Sequence, residues 1–129
     1  MTFEAEFEVR DYELDAQGIV NNANYLHYFE HARHLFLRSR GVDFVAMHEA
    51  GEDAIVYRIE VDYKESLHSG DVVTVSVKTS MEGRLRLIFE QEIVKKSNGH
   101  LAARARVVGA IVSGGRPVPP STELKERLL

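Results

Sequence analysis

The sequence predicts an α+β domain, a five-stranded antiparallel sheet wrapped around one long helix. Three observations predict it. Several segments alternate apolar and polar residues with the period of a half-buried strand. A single stretch, residues 24–40, repeats its apolar residues at the three-and-four spacing of a long amphipathic helix. The alternating segments of the second half are joined by turns too short for a crossover, which makes their sheet antiparallel. A sheet with one apolar face needs a cover, and the helix is the only long element that can supply it.

The elements follow in order. Phe3, Ala5, Phe7 and Val9 alternate with Glu4, Glu6 and Glu8, a strand with one wet face. A polar loop occupies 11–21. Tyr25, Phe29, Ala32 and Phe36 then form the apolar face of the helix, with Glu30, Arg33, His34 and Arg38 placed elsewhere on the wheel. Asn22 or Asn24 is suited to cap its start and Gly41 to end it. Residues 42–50 allow a short second helix. Strands follow at 55–63, 73–77, 85–90 and 101–112, separated by the turn signals HSGD (68–71), MEGR (81–84) and KSNGH (96–100). SGGRPVPP is expected to end regular structure, and STELKERLL to form a short capped helix. No repeat, linker or low-complexity tract divides the chain, so residues 1–129 are expected to form one domain.

Composition narrows the function. The 129 residues are 44% hydrophobic, enough for a real core. The net charge is −4 with both signs interspersed, which argues against a nucleic-acid or anionic-membrane partner. The absence of cysteine removes disulfides, thiolate metal sites and a thiol nucleophile. No apolar run has the length of about 20 residues that a bilayer requires, and MTFEAEFEVR does not read as a signal peptide. A cytoplasmic protein is the expectation. The sequence has no G-x-S-x-G elbow, Walker-type loop or dinucleotide glycine fingerprint.

The densest chemistry is DAQGIVNNANY, residues 15–25, at the mouth of the helix. It sets one carboxylate, Asp15, upstream of a helix start. Gly18 permits a tight turn or a close backbone approach. The first helical turn offers N–H groups with no intrahelical partner, those of Asn22 and Ala23 among them, backed by the positive end of the helix dipole. An anion next to unpaired donors is the equipment that acyl transfer needs. The plainer reading makes Asp15 an Asx-turn residue and the asparagines helix caps.

The order of strand, D-x-x-G-I-V-x-x-x-x-Y, a helix ending near ARHLFLRSRG, and a meander closing with GGRPVPPSTELKERL resembles the hotdog-fold acyl-CoA thioesterases, nearest to the 4-hydroxybenzoyl-CoA thioesterase type. VDYKESLHSGD (61–71) resembles that family's second strand and the Gly-Asp turn after it. The resemblance implies hydrolysis of a small-molecule acyl-CoA, with Asp15 as nucleophile or general base and the backbone near Asn22 as oxyanion donor. It also implies Gly18, Ala23 and Tyr25 around the substrate. Basic residues near Arg84 and Arg86, expected on alternate strand positions, would meet the nucleotide end of coenzyme A. It implies a homodimer or homotetramer with the active site between two subunits. No metal or redox cofactor is implied; coenzyme A is part of the substrate. Four positions depart from the family pattern: Glu13 where some relatives have a second Asp, Ala16 where a Pro is usual, and Asn21 and Asn22 where aromatics or His often stand. These leave the carboxylate in place and lend no support to an aromatic acyl group.

Rivals remain open at this level. Glu30, on the helix, is the alternative carboxylate, its plain role being an ion pair with Arg33 or His34. His27, His31 and His34 have a spacing that brings imidazoles together, but no further ligand accompanies them. Arg104 and Arg106 read as a wet strand face paired with Glu90 or Glu92. Tyr57 and Tyr63 suit a pocket, a core or an interface. The alternative functions are a thioesterase or hydratase of the same fold acting on acyl carrier protein thioesters or enoyl groups, and a non-catalytic acyl-CoA binding module.

Overall fold

The structure is a computed structural model that describes residues 2–129. Its elements run β1 (Phe3–Glu8), α1 (Asn22–Ser39), α2 (Phe44–Glu49), β2 (Glu52–Tyr63), β3 (Val72–Glu82), β4 (Arg86–Lys95), β5 (Leu101–Ser113), β6 (Arg116–Val118) and α3 (Thr122–Leu128). The sheet order is β1-β3-β4-β5-β2, with every pairing antiparallel. The sheet has six strands, one more than expected. β6 forms a hairpin with the end of β5, Ile111 opposite Val118 and Ser113 opposite Arg116. Two glycines at positive φ, Gly114 and Gly115, make that tight return. Pro117 lies within it at the sheet's margin, a place where the missing N–H is tolerated.

α1 lies across the concave face. Tyr25, Tyr28, Phe29, Ala32, Arg33, Phe36 and Leu37 are its buried residues, one continuous stripe at helical spacing. They meet the inward residues of the strands: Val73, Val75 and Val77 of β3, Phe89 and Ile93 of β4, Ala103, Ala105 and Val107 of β5. The helix backbone approaches β3 and β1 most closely. Arg33 departs from the sequence reading, which placed it on the wet side. Its position in the stripe, i+4 from Phe29, puts it inside although its chemistry argues for solvent.

The convex face carries charge in cross-strand rows. Glu60 pairs with Arg106, which pairs with Glu90, which pairs with Lys78. Asp62, Arg104 and Glu92 form the next row, with Arg104 to Glu92 at 2.8 Å. The expected plain reading of Arg104 and Arg106 holds, except that Arg106 makes its ion pair with Glu82 at 2.6 Å. α3 is capped by Ser121, whose side chain accepts from Leu124 N–H, and it buries Leu124 and Leu128. No helix among the described residues is long and apolar enough to cross a membrane.

Edge strand β2 is treated differently from the rest. Its inward residues Val56, Ile59 and Tyr63 remain 42%, 40% and 46% exposed, so an apolar strip of the concave side lies uncovered along a long, unpaired edge. Tyr57 sits at a bulge between Val56 and Arg58 and points its ring to solvent.

Candidate active site

The loop before α1 is a small hairpin. Leu14 and Val20 form a single antiparallel bridge. Inside it, Asp15 N–H donates to Ile19 O at 2.8 Å and Gly18 N–H to Asp15 O at 3.0 Å. Gly18 takes φ 77°, so its role is the turn itself. The Asp15 carboxylate accepts from Gln17 N–H at 2.9 Å, an Asx-turn bond. With its amide turned to satisfy both ends, the exposed Gln17 side chain also donates to Asp15 Oδ1 at 2.8 Å and Oδ2 at 3.1 Å, so both oxygens are engaged by one surface residue. Asp15 is half-buried at the point where the hairpin hands the chain to α1.

Glu13 ties the hairpin to the helix. It is 9% exposed, and its carboxylate accepts from Tyr28 Oη at 2.9 Å and from Arg10 N–H at 2.8 Å. Its carbonyl accepts from Asn21 N–H at 3.2 Å and Asn24 Nδ2 at 2.8 Å. Burial and the bond to Glu13 push the Tyr28 phenol well above its ordinary pKa, so it remains a donor. Sequence reasoning noted Glu13 only as a departure from the family pattern; its burial is a product of tertiary packing that no local spacing announces.

The helix is capped by Asn21, one residue before the first of the two candidates named from sequence, Asn22 and Asn24. Asn21 Oδ1 accepts from Ala23 N–H at 2.8 Å. Ala23 is therefore not a free oxyanion donor: its amide is already engaged by the cap. Asn24 N–H donates to Asn21 O at 2.9 Å. The amide of Asn22 finds no acceptor among the described residues, which leaves it as the open N–H of the first turn.

Tyr25 also plays a different part from the expected substrate contact. It is 3% exposed, its hydroxyl donates to Glu65 O at 3.0 Å, and the same hydroxyl accepts from Leu67 N–H at 3.2 Å. Both capacities are engaged, so Tyr25 clamps the segment after β2 against the helix. Tyr63 stacks edge-on to Tyr25 and donates to Asn22 O at 3.0 Å, fixing the strand end beside the open amide.

The remaining candidates lie elsewhere. Arg84 sits within the turn between β3 and β4 rather than on a strand, so it does not alternate with Arg86. Arg86 is paired with Glu82 at 2.9 Å, whereas Arg84 has no ionic partner among the described residues. Both lie at the Leu87 end of β4, and Asp15 lies by the Ile93 end. Six residue steps of strand separate these ends, roughly 20 Å. His27 bonds Asn24, His31 stacks on Phe7 and His34 on Phe44, three separate environments. Glu30 is exposed and makes no ion pair with Arg33 or His34.

An apolar cavity of 360 Å³ opens between the second half of α1, α2, β2 and α3. Glu30, Arg33 and His34 stand on one side of it; Ala54, Ile55 and Val56 bring the exposed edge to it. Asp15 does not line it. Along α1, Arg33 is eleven residues from Asn22, roughly 16 Å. In one chain, the carboxylate-and-amide pair and the cavity are two halves held apart.

Comparison with known proteins decides the family. Residues 9–128 match the model of the thioesterase-like superfamily. The chain belongs to that superfamily. Among its relatives, acyl-acyl carrier protein thioesterase ATL3 of Arabidopsis thaliana is 32% identical over 127 residues, 98% of this chain and 67% of the relative. Acyl-CoA thioesterase YbgC of Haemophilus influenzae is 31% identical over 116 residues, 88% of this chain and 84% of the relative. The crystal structure of a hypothetical protein from Aquifex aeolicus superposes with a TM-score of 0.90 at 32% identity, covering 98% of this chain and 99% of that one. This superfamily member has the hotdog fold that its sequence resembles, with α1 as the central helix of the wrap.

Proposed function

We propose that this protein hydrolyses acyl-CoA thioesters, with Asp15 as nucleophile or general base and the Asn22 amide as oxyanion donor. Membership of the thioesterase-like superfamily makes it a thioester hydrolase. The observation that carries the finer reading is the hairpin 14–20, which delivers a carboxylate, held only by the exposed Gln17, to the helix end whose first open N–H is that of Asn22. In one version the carboxylate attacks the acyl carbon, the thiolate leaves, and water cleaves the resulting anhydride. In the other it removes a proton from the attacking water. Either way the oxyanion forms beside the Asn22 N–H and the helix dipole. Neither version asks for a metal or a redox cofactor; coenzyme A enters and leaves as part of the substrate.

The working form is a homodimer paired edge to edge through β2. Antiparallel pairing of two such edges sets the Tyr63 end of one strand beside the Glu52 end of the other. The Asp15 half of one protomer then meets the cavity half of its partner, and the uncovered strip of Val56, Ile59 and Tyr63 is buried. The free Arg84 is the cation offered to the phosphates of coenzyme A.

The direct test measures thiol release from short, long and aromatic acyl-CoAs and from matched acyl carrier protein thioesters. Release of coenzyme A at a higher kcat/KM than release of the carrier supports the proposal. The reverse order moves the substrate to the carrier protein, and tight acyl-CoA binding without release makes the chain a binding module. A second test addresses the edge. In sedimentation, wild type runs at twice the 14.6 kDa chain mass or a multiple of it. Ile59→Lys, which sets a charge in the proposed seam, shifts the population to monomer and lowers thioesterase activity at least about tenfold. An unchanged sedimentation profile for the variant rules out β2 as the seam.

A further inference from the structure

Arg33 is a cation at a core position of α1. It is 6% exposed, and no carboxylate lies within ion-pair distance of it among the described residues. Of its five N–H donors, one bond is accounted for, to Gln91 Oε1 at 3.0 Å. Gln91 is itself fully buried and held by Phe29 O at 3.0 Å, so the guanidinium is braced from behind. Arg33 lines the 360 Å³ cavity, and among the described residues no side-chain nitrogen is sealed in without a partner. Its unused donors therefore open onto the cavity.

Burying an under-partnered guanidinium is costly. An aliphatic side chain would pack the same stripe without that cost, so the arrangement is explained by something that occupies the cavity and accepts from Arg33. The cavity states what that is. Its other walls, Leu37, Leu87, Phe89 and Ile111, take an apolar body. Glu30 also lines the cavity, one helical turn from Arg33 but beyond ion-pair distance of it. A second carboxylate would be repelled by Glu30; a neutral acceptor oxygen would not.

Building on the thioester reading, we infer that this cavity is the acyl pocket and that Arg33 selects acyl groups bearing a hydroxyl or oxo substituent over unsubstituted ones. The acyl body lies among the apolar walls, its oxygen accepts from Arg33, and its thioester end reaches the partner subunit's Asp15 across the seam.

The test uses acyl-CoA pairs of equal chain length, one plain and one carrying a hydroxyl or oxo group, with the substituent moved along the chain. For wild type, at one position the oxygenated substrate exceeds its plain counterpart in kcat/KM by at least about tenfold, as a hydrogen bond to a charged group allows. In Arg33→Met that ratio collapses towards one; Arg33→Lys keeps part of it. Equal wild-type values at every position overturn the inference whether or not the variants fold, and so does a preference that survives Arg33→Met. Absence of turnover on every thioester overturns the hydrolase reading and this inference with it, whereas turnover without preference overturns this inference alone.

Discussion

Asp15→Asn lowers kcat by at least about two orders of magnitude while leaving the melting temperature within a few degrees of wild type. The argument rests on what the substitution spares. An Asn side-chain oxygen still accepts from Gln17 N–H, so the Asx-turn bond and the hairpin around it persist. Gly18 N–H to Asp15 O and Asp15 N–H to Ile19 O are backbone bonds and do not depend on the side chain. Only the charge disappears, and with it the ability to attack an acyl carbon or take a proton from water. Steady-state thiol release with both proteins checks it. Equal rates would remove Asp15 from the chemistry and return attention to Glu30. If the loss is confined to KM, Asp15 holds substrate without reacting.

Phe36→Ala destabilises the protein by about 3–5 kcal/mol, the usual range for deleting a fully buried ring. Phe36 is 1% exposed and packs edge-on against Phe3, with ring centroids 5.7 Å apart. The Arg40 guanidinium lies over its other side at 5.3 Å. The cavity left behind would lie between α1 and β1, two elements joined by a long loop, so neither can close on it without moving the sheet edge. Thermal unfolding is expected to show the midpoint falling by about 10 °C or more. A shift of only a degree or two would mean that the helix is held mainly by its other ring contacts, Phe29 and Tyr28 foremost.

The fold was legible because two periodicities do most of the specifying. Alternation in 73–77 and three-and-four spacing in 25–36 each record a buried face, and faces that must be covered leave few ways to assemble one helix and one sheet. What escaped was decided by contacts or by single residues. Arg33 was sorted by its charge, yet its place in the stripe is set by angle around the helix axis, and only the cavity and Gln91 make that place habitable. The cap fell to Asn21 rather than Asn22 or Asn24 because Glu13 O draws in both Asn21 N–H and Asn24 Nδ2, a tertiary choice among three equivalent residue types. β6 is three residues long and contains a proline, below the length at which alternation can register. Arg84 was given a strand's geometry where the chain is still turning.

The motif 15–25 was legible for another reason: a carboxylate, a turn glycine and a helix start are all local features, although Leu67 O and Tyr63 Oη from distant segments help to hold them in place. The cavity was not, since its walls come from α1, α2, β2, β4, β5 and α3.

The tether through Glu13 has a thermodynamic consequence. Because Tyr28 in the second turn of α1, Arg10 before the hairpin and the backbone of Asn21 all converge on one residue, the hairpin that carries Asp15 and the helix end that carries the open Asn22 amide are set against each other when the chain folds. Under the proposed mechanism, the entropy of aligning them is absorbed once per molecule instead of once per turnover, which removes reorganisation at that end from the barrier.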